Sequence, residues 1–421
     1  MRIGLLTQWF DPEPGPAALP GVLARHLAER GHDVKVLTGF PNYPSGELYP
    51  GYSMGLSHEE QVRGVRVRRV PLVPSHSASI MGRVANYSSF ALAASAVAGR
   101  FLEDRDALWV SNSPASVALP MVVSSLRFNL PVLLHVLDLW PDTVASSRFL
   151  GDGRTSRTVT RLLKRPVQGT YRRADRIAVI SPGVVDVLER RGVPREKLTF
   201  VPLWADEARY RPTDGTTLRQ QLNVAPDTVV VMYAGTLGPT QDLTTLLKAM
   251  ALLPSDGPAL ECWIAGSGVQ ERSLRGRAES LGLARNRVRF LGRIEESRMP
   301  EYLGACDVSF VGLRDEPGLN VTFPSKVSVA LSAGKALMVA ARGDTAEIAE
   351  QSASALVARP DDPESVRRAL DRAAHLGRAR LDLMGQRGRS YYISHLSAAS
   401  GIAKIEHLLQ RITDRHRRVT T

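Results

Sequence analysis

Short apolar runs recur along the chain, separated by longer stretches in which apolar positions fall three and four residues apart. In the first half the short runs predict strands at Ile3–Gln8, Asp33–Thr38, Val65–Val70, Ala107–Ser111, Val132–Leu137, Arg176–Ile180 and Leu198–Val201. Between them Leu19, Val22, Leu23 and Leu27, and later Val184, Val187 and Leu188, mark one apolar helix face each. Strands alternating with helix-length patterns predict βαβ units, right-handed crossovers and a mainly parallel sheet. From Trp204 to Asp227 the rhythm stops in a polar, proline-punctuated stretch, read here as the connection between domains. Alternation resumes with strands predicted at Val229–Tyr233, Leu260–Ala265, Val288–Leu291, Val308–Val311, Ala336–Ala340 and Ala355–Val357. The expected fold class is therefore α/β, two tandem Rossmann-like, doubly wound domains at 1–205 and 206–393. A last helix over about 394–421 is expected to pack back on the first.

Composition narrows the class. With 421 residues, 43% hydrophobic and 23% charged, the chain has the balance of a globular protein of two or three domains. No window approaches the roughly 18–20 apolar residues of a membrane span. The apolar run Phe90–Ala98 is bracketed by Arg83 and Arg100. The N-terminus turns polar and proline-rich too soon for a secretory signal, so a soluble, cytoplasmic protein is expected. Cys262 and Cys306 sit in apolar runs and read as core residues, and the nine histidines show no metal-ligand spacing. The net charge of +12 changes the picture more, because 47 of the 54 basic residues are arginines. Such a surface attracts anions, and eight basic residues lie between Arg154 and Arg176. No nucleic-acid-binding motif accompanies them, which leaves solvated helix faces or a peripheral contact with an anionic membrane.

In open parallel sheets ligands bind beyond the carboxyl ends of the strands, so the loops there hold the candidate chemistry. After the first strand, Gly15 precedes a helix, where free backbone amides and the helix dipole suit an anion. The loop lacks GxGxxG and no acidic residue ends the second strand, which argues against a nicotinamide dinucleotide. In YAGTLGPTQDL, Gly235 and Gly238 flank a short loop ahead of a helix expected to be capped near Asp242. Gly266 and Gly268 form GSG after the next strand, with Glu271 in place of a third glycine. In FPSKVSVALSAGK, Ser325 and Lys326 stand where a loop enters a helix. Hydroxyl, amides and ammonium can converge there on one diphosphate and meet the charge of a leaving group.

The order of motifs resembles the family-four retaining glycosyltransferases. PEPGPAA, TGFPNYPSGELYPGY, LDLWPD, ISPGVVDVLERRGVPREKL, YAGTLGPTQDL, IAGSG, RFLGRI and FPSK with SAGK follow in the family's order over roughly residues 1–390. TGFPNYPSG is similar to the amino-sugar transferases of O-antigen and capsule assembly. The resemblance implies the GT-B architecture, with two domains facing across a cleft, the nucleotide sugar held mostly by the second and the acceptor by the first. It also implies metal-independent transfer with retained configuration, no metal site, and no cofactor beyond a nucleotide-diphosphate sugar as donor. By position it places Gly15 on the phosphate side, and Gly235, Thr236 and Gly238 at the diphosphate. Gly266 and Gly268 fall near the nucleoside, Arg293 beside the base, and Ser325 and Lys326 on the phosphates. Asp138, with Lys326, is the expected catalytic residue, facing sugar or acceptor. His135, three residues earlier on the same strand, falls on the opposite side and reads as core.

Departures from the family pattern matter as much. The glutamate that grips ribose in relatives is Val329, its usual partner eight residues earlier is Val321, and the loop cations are Thr236 and Gln241. Three accounts stand open: an unusual donor held elsewhere, a non-catalytic binding subunit, or a carboxylate supplied by another residue such as Glu316. The expected function is transfer of a sugar to the hydroxyl, amine or thiol of a small molecule in specialised-metabolite (antibiotic) assembly. The alternative is cell-surface polysaccharide assembly on a lipid carrier. Nothing in the sequence specifies an oligomeric state.

Overall fold

Continuous Val-, Ile- and Leu-rich segments make the strands of two largely parallel sheets, because helices on both faces of a parallel sheet leave no strand side in water. The computed structural model describes residues 1–13, 18–75, 80–140, 165–254, 257–283 and 287–420. It divides into two units, Met1–Pro202 with Gly401–Thr421, and Leu203–Ser400.

The first unit's sheet contains β1 (Arg2–Leu6), β2 (Asp33–Gly39), β3 (His58–Val62), β4 (Val65–Val70), β5 (Ala107–Ser111), β6 (Val132–Val136), β7 (Arg176–Val179) and β8 (Leu198–Phe200). Their order is β3-β4-β2-β1-β5-β6-β7-β8, parallel except for the β3–β4 pair. Leu5 of β1 faces both Val36 and Trp109, so the order reverses beside β1, between it and β5. Helix Pro182–Arg190 starts on Ser181, whose hydroxyl accepts from the Val184 amide. Helix Ala398–Thr420 completes this unit, burying Ile402, Ile405, Leu409 and Ile412. On its outer side Glu406 accepts from Arg30 and His32.

The second unit's sheet contains β9 (Val229–Ala234), β10 (Leu260–Ala265), β11 (Val288–Gly292), β12 (Val308–Gly312), β13 (Ala336–Ala340) and β14 (Ala355–Ala358). The order is β11-β10-β9-β12-β13-β14 and all pairs are parallel. The reversal lies between β9 and β12. Cys262 and Cys306 are buried free thiols, as expected for core residues.

Three sequence expectations need correction. The strand β3 was not anticipated, because HEEQV carries charge and packs as a mostly exposed antiparallel edge with no apolar signal. The stretch Trp204–Asp227 is no bare connection. It contains helix Thr216–Gln221, buries Leu218 and Val224, and sets the buried Arg219 against Asp307 at 3.1 Å. Asp242 does not cap its helix through the side chain. It takes a left-handed φ of 50°, and its carboxylate accepts from the Thr245 hydroxyl and the Asp361 amide.

Candidate functional site

In the second unit the chemistry gathers where the strand order reverses, at the carboxyl ends of β9, β10 and β12. The glycine loop after β9 and the GSG loop after β10 are laced together. Gly235 donates to Ala265, Leu237 to Ser267 and Gln270 to Leu237, at 2.9–3.0 Å. Glycine is required where they meet. At φ 135° a Cβ on Gly266 would collide with the Gly235 carbonyl, and one on Gly268 would stand 2.5 Å from the Leu237 carbonyl oxygen. Both glycines, expected near a nucleoside, are thus accounted for by loop packing. Gly238 is different, since a Cβ there would enter open space.

Gly235 opens the approach to Lys326, whose Nζ lies 3.2 Å from the position its Cβ would take. Lys326 is the second residue of helix Ser325–Ser332. Its ammonium donates to the Gln241 Oε1 at 2.8 Å and to the Tyr233 hydroxyl at 3.1 Å, and lies over the Tyr233 ring at 4.2 Å. The Tyr233 hydroxyl in turn donates to the Thr236 carbonyl at 2.6 Å. No ion pair among the described residues includes Lys326. Burial without a countercharge pulls it down to about 7. The arrangement is a cation held by neutral acceptors, with its charge left for an incoming anion.

Ser325 begins the same helix behind Pro324, half-buried. Thr236 is exposed on the glycine loop, and Arg293 is exposed just past β11. The Gly292 carbonyl there accepts from the Gly266 amide at 2.7 Å, which sets Arg293 beside the laced loops. Val329 lies one turn beyond Lys326, half-buried against apolar clusters that include Val327, Met232 and Trp263. Val321 and Glu316 are half-buried ahead of the helix.

In the first unit the corresponding edge holds Asp138, just past β6. Its carboxylate accepts from the Ser113 hydroxyl at 2.7 Å, and its carbonyl from the Asn112 amide at 3.1 Å. Burial pushes the Asp138 carboxyl upward, against the Ser113 hydrogen bond. His135 is core, as expected. It is fully buried against Trp109, neither ring nitrogen has a partner among the described residues, and burial pushes it down to about 3. Gly15 lies outside the described residues, as do residues 154–164 of the basic stretch; residues 165–173 are helical.

Sequence reasoning passed over Tyr233 and Gln241 as holders of Lys326, and Glu13. Glu13 is buried and accepts from the amides of Phe10, Asn42 and Tyr43 at 2.8–3.0 Å, fastening the TGFPNYPSG segment. Asn42 is linked onward through Asn86 to Gln8, so this motif is built into the end of the first sheet. Its signal, an acid in a proline-rich loop, looks like a surface residue. Among the described residues, no group of three or more His, Cys, Asp or Glu side chains is placed to hold a metal ion.

Comparison with known proteins gives a consistent picture. The pattern of the glycosyl transferase 4-like domain matches residues 15–204, and that of glycosyl transferases group 1 matches 214–390. The putative colanic acid biosynthesis glycosyl transferase WcaI of Escherichia coli is 25% identical over 344 residues, covering 80% of this chain and 82% of the relative. The D-inositol 3-phosphate glycosyltransferase of Thermomonospora curvata is 24% identical over 98% of this chain and 95% of its own. Among solved structures, sucrose-phosphate synthase from Thermosynechococcus elongatus superposes with a TM-score of 0.76 at 18% identity, covering 98% and 99% of the two chains.

Proposed function

From a chain that belongs to the family-four glycosyltransferases of GT-B type, we propose a retaining enzyme that takes its sugar from a nucleotide diphosphate. The observation that carries this reading is Lys326, a half-buried ammonium held, among the described residues, by Tyr233 and Gln241 beside a glycine loop. When the bond from the anomeric carbon to the diphosphate oxygen breaks, the electron pair stays on the diphosphate, and Lys326 with the helix start at Ser325 meets that charge. A protein cation in this place supports transfer without a divalent ion. Structures of Anabaena HepE in complex with UDP and with UDP-glucose, which share this fold, support a donor of the same class.

For the acceptor, the colanic acid relative supports a saccharide of cell-surface assembly. Transfer to a small metabolite is the second reading, favoured by the apolar Val329 where a ribose-gripping carboxylate is usual in the family. Asp138, at the carboxyl edge of the first sheet, is the residue we assign to the sugar or acceptor.

Thermal-shift screening against UDP, GDP, dTDP, CDP and ADP, with NAD as control, tests the donor reading. A ligand at 100 times its Kd stabilises its fold by about 2.7 kcal/mol. We expect one nucleoside diphosphate to shift the transition, NAD to leave it unmoved, and Lys326→Met to abolish the shift. Donor turnover unaffected by EDTA would support the metal-free mechanism. Silence from all five nucleotides would sink the donor reading and leave a binding subunit of another kind.

A further inference from the structure

At the carboxyl edge of the first sheet three aromatic rings meet beside Asp138. Trp9 stands just past β1, where the Gln8 carbonyl still accepts from the Gly39 amide and the Thr38 hydroxyl. Tyr43, past β2, is fixed by its own backbone. Its amide donates to Glu13 and its carbonyl accepts from the Tyr49 hydroxyl, both at 2.8 Å. Tyr87 comes from helix Ile80–Leu102, which the Gln8–Asn86 hydrogen bond of 2.6 Å fastens to the end of β1 one residue earlier. The Trp9 ring centroid lies 5.7 Å from that of Tyr43 and 6.3 Å from that of Tyr87, with 48° and 76° between the planes. Burial pushes the Tyr87 hydroxyl up. Arg83 acts against that shift while Asp138 and Tyr43 add to it, so all three lie within electrostatic reach of the hydroxyl.

Core packing does not account for this group. Phe40, Phe90 and Trp109 of the same unit are at most 1% exposed, whereas Trp9, Tyr43 and Tyr87 each keep a share of surface. They stand where the strand order reverses, between β1 and β5, which is where parallel sheets bind ligands. The tilt of the rings narrows the class of ligand. Neither pair is stacked, so they make no slot for a flat ring, and a tilted corner takes a thicker, saturated one. Electron-rich ring faces attract C–H groups. The Asp138 carboxylate, with the Ser113 hydroxyl on it at 2.7 Å, accepts from hydroxyls. A ring with a C–H face and a rim of hydroxyls is a pyranose.

We propose that Trp9, flanked by Tyr43 and Tyr87, is the platform on which a pyranose of the acceptor lies, its hydroxyls toward Asp138, and that these rings select a saccharide over a flat acceptor. This rests on the glycosyltransferase reading above and narrows its acceptor to one class. Saturation-transfer NMR of the full chain with methyl glycosides of common hexoses and 2-acetamidohexoses tests it without donor or turnover. Saturation should fall on the hydrogens of one ring face of the glycoside that binds, and 4-nitrophenol should not displace it. Trp9→Leu keeps apolar bulk but no ring and should weaken glycoside binding about tenfold, while Trp9→Phe should weaken it no more than about threefold. Tyr87→Leu and Tyr87→Phe should repeat that order should Trp9→Leu lower the melt. In turnover with the same glycoside the loss should fall on the acceptor KM, with nucleoside diphosphate affinity unchanged. If no glycoside binds, the proposal falls, whether or not a nucleoside diphosphate shifts the melt. Glycoside binding with no nucleotide shift sinks the donor reading alone. Equal binding by wild type and the leucine variants, or saturation spread evenly over both ring faces, also overturns the platform.

Discussion

Burial pulls Lys326 down to about 7, and its acceptors, a tyrosine hydroxyl and an amide oxygen, bring no countercharge to offset it. Between pH 7 and the ordinary lysine value of 10.5 the unfolded chain binds this proton and the native state does not. The Lys326 contribution to stability therefore improves as pH rises through that window, and Lys326→Met should remove this slope from denaturation curves taken at several pH values. An arriving diphosphate favours the charged form and draws the proton back. Nucleoside diphosphate affinity should accordingly fall above pH 7, by up to about tenfold per pH unit. Calorimetry in buffers of unlike ionisation heat would detect the proton uptake, and its absence would break the link between Lys326 and the phosphates. Glu13 has the opposite sign. Burial pushes it from 4.5 to about 7 despite three amide hydrogen bonds, so the native state binds more protons than the unfolded chain between those values. Its contribution is lost as pH rises from 4.5 to 7. Glu13→Gln should flatten that pH dependence at modest cost, and Glu13→Ala, which strips three buried donors of their acceptor, should cost roughly 2–5 kcal/mol in chemical denaturation.

The laced loops after β9 and β10 are where elements, rather than residues, decide the outcome. Gly266→Ala places a methyl on the Gly235 carbonyl at a left-handed φ, so it should lower the melting temperature and nucleotide binding together. Gly238→Ala meets nothing within 4 Å among the described residues and should fold like wild type. A loss of nucleotide affinity in that variant alone would mark Gly238 as lining the ligand, and unchanged affinity would remove it from the donor-binding set. The contrast shows what the sequence made legible. Continuous apolar runs announced β5, β10 and β13 with their observed bounds, since both faces of a parallel strand are buried. Charged β3 gave no such signal, and neither did helix Thr216–Gln221, whose six residues bury an arginine. Lys326 was legible as a cation at a helix start. Tyr233 and Gln241 were not, because their role depends on a contact across 85 to 93 positions of chain. A strand residue such as Tyr233 reads as core until its hydroxyl is placed.

At the scale of the molecule, the first unit takes its last helix from the far end of the chain, after the second unit has been completed. Two kinds of interaction hold that helix. Glu406 pairs with Arg30 and His32, and Arg417 approaches Asp106, but these groups are partly exposed and such pairs contribute about 1 kcal/mol or less. Ile402, Ile405, Leu408, Leu409 and Ile412 are buried, at roughly 1.5–3 kcal/mol each. The apolar term therefore dominates and approaches the whole stability of a typical domain, about 5–15 kcal/mol. A chain ended after Ser400 should lose the calorimetric transition of the first unit and become open to protease between β1 and β8, while the second unit melts as before. Glu406→Ala should shift the first unit's transition by only a few degrees. If the truncated chain kept both transitions, the sheet of the first unit would be closed without its C-terminal helix. The buried isoleucines would then be passengers rather than its seal.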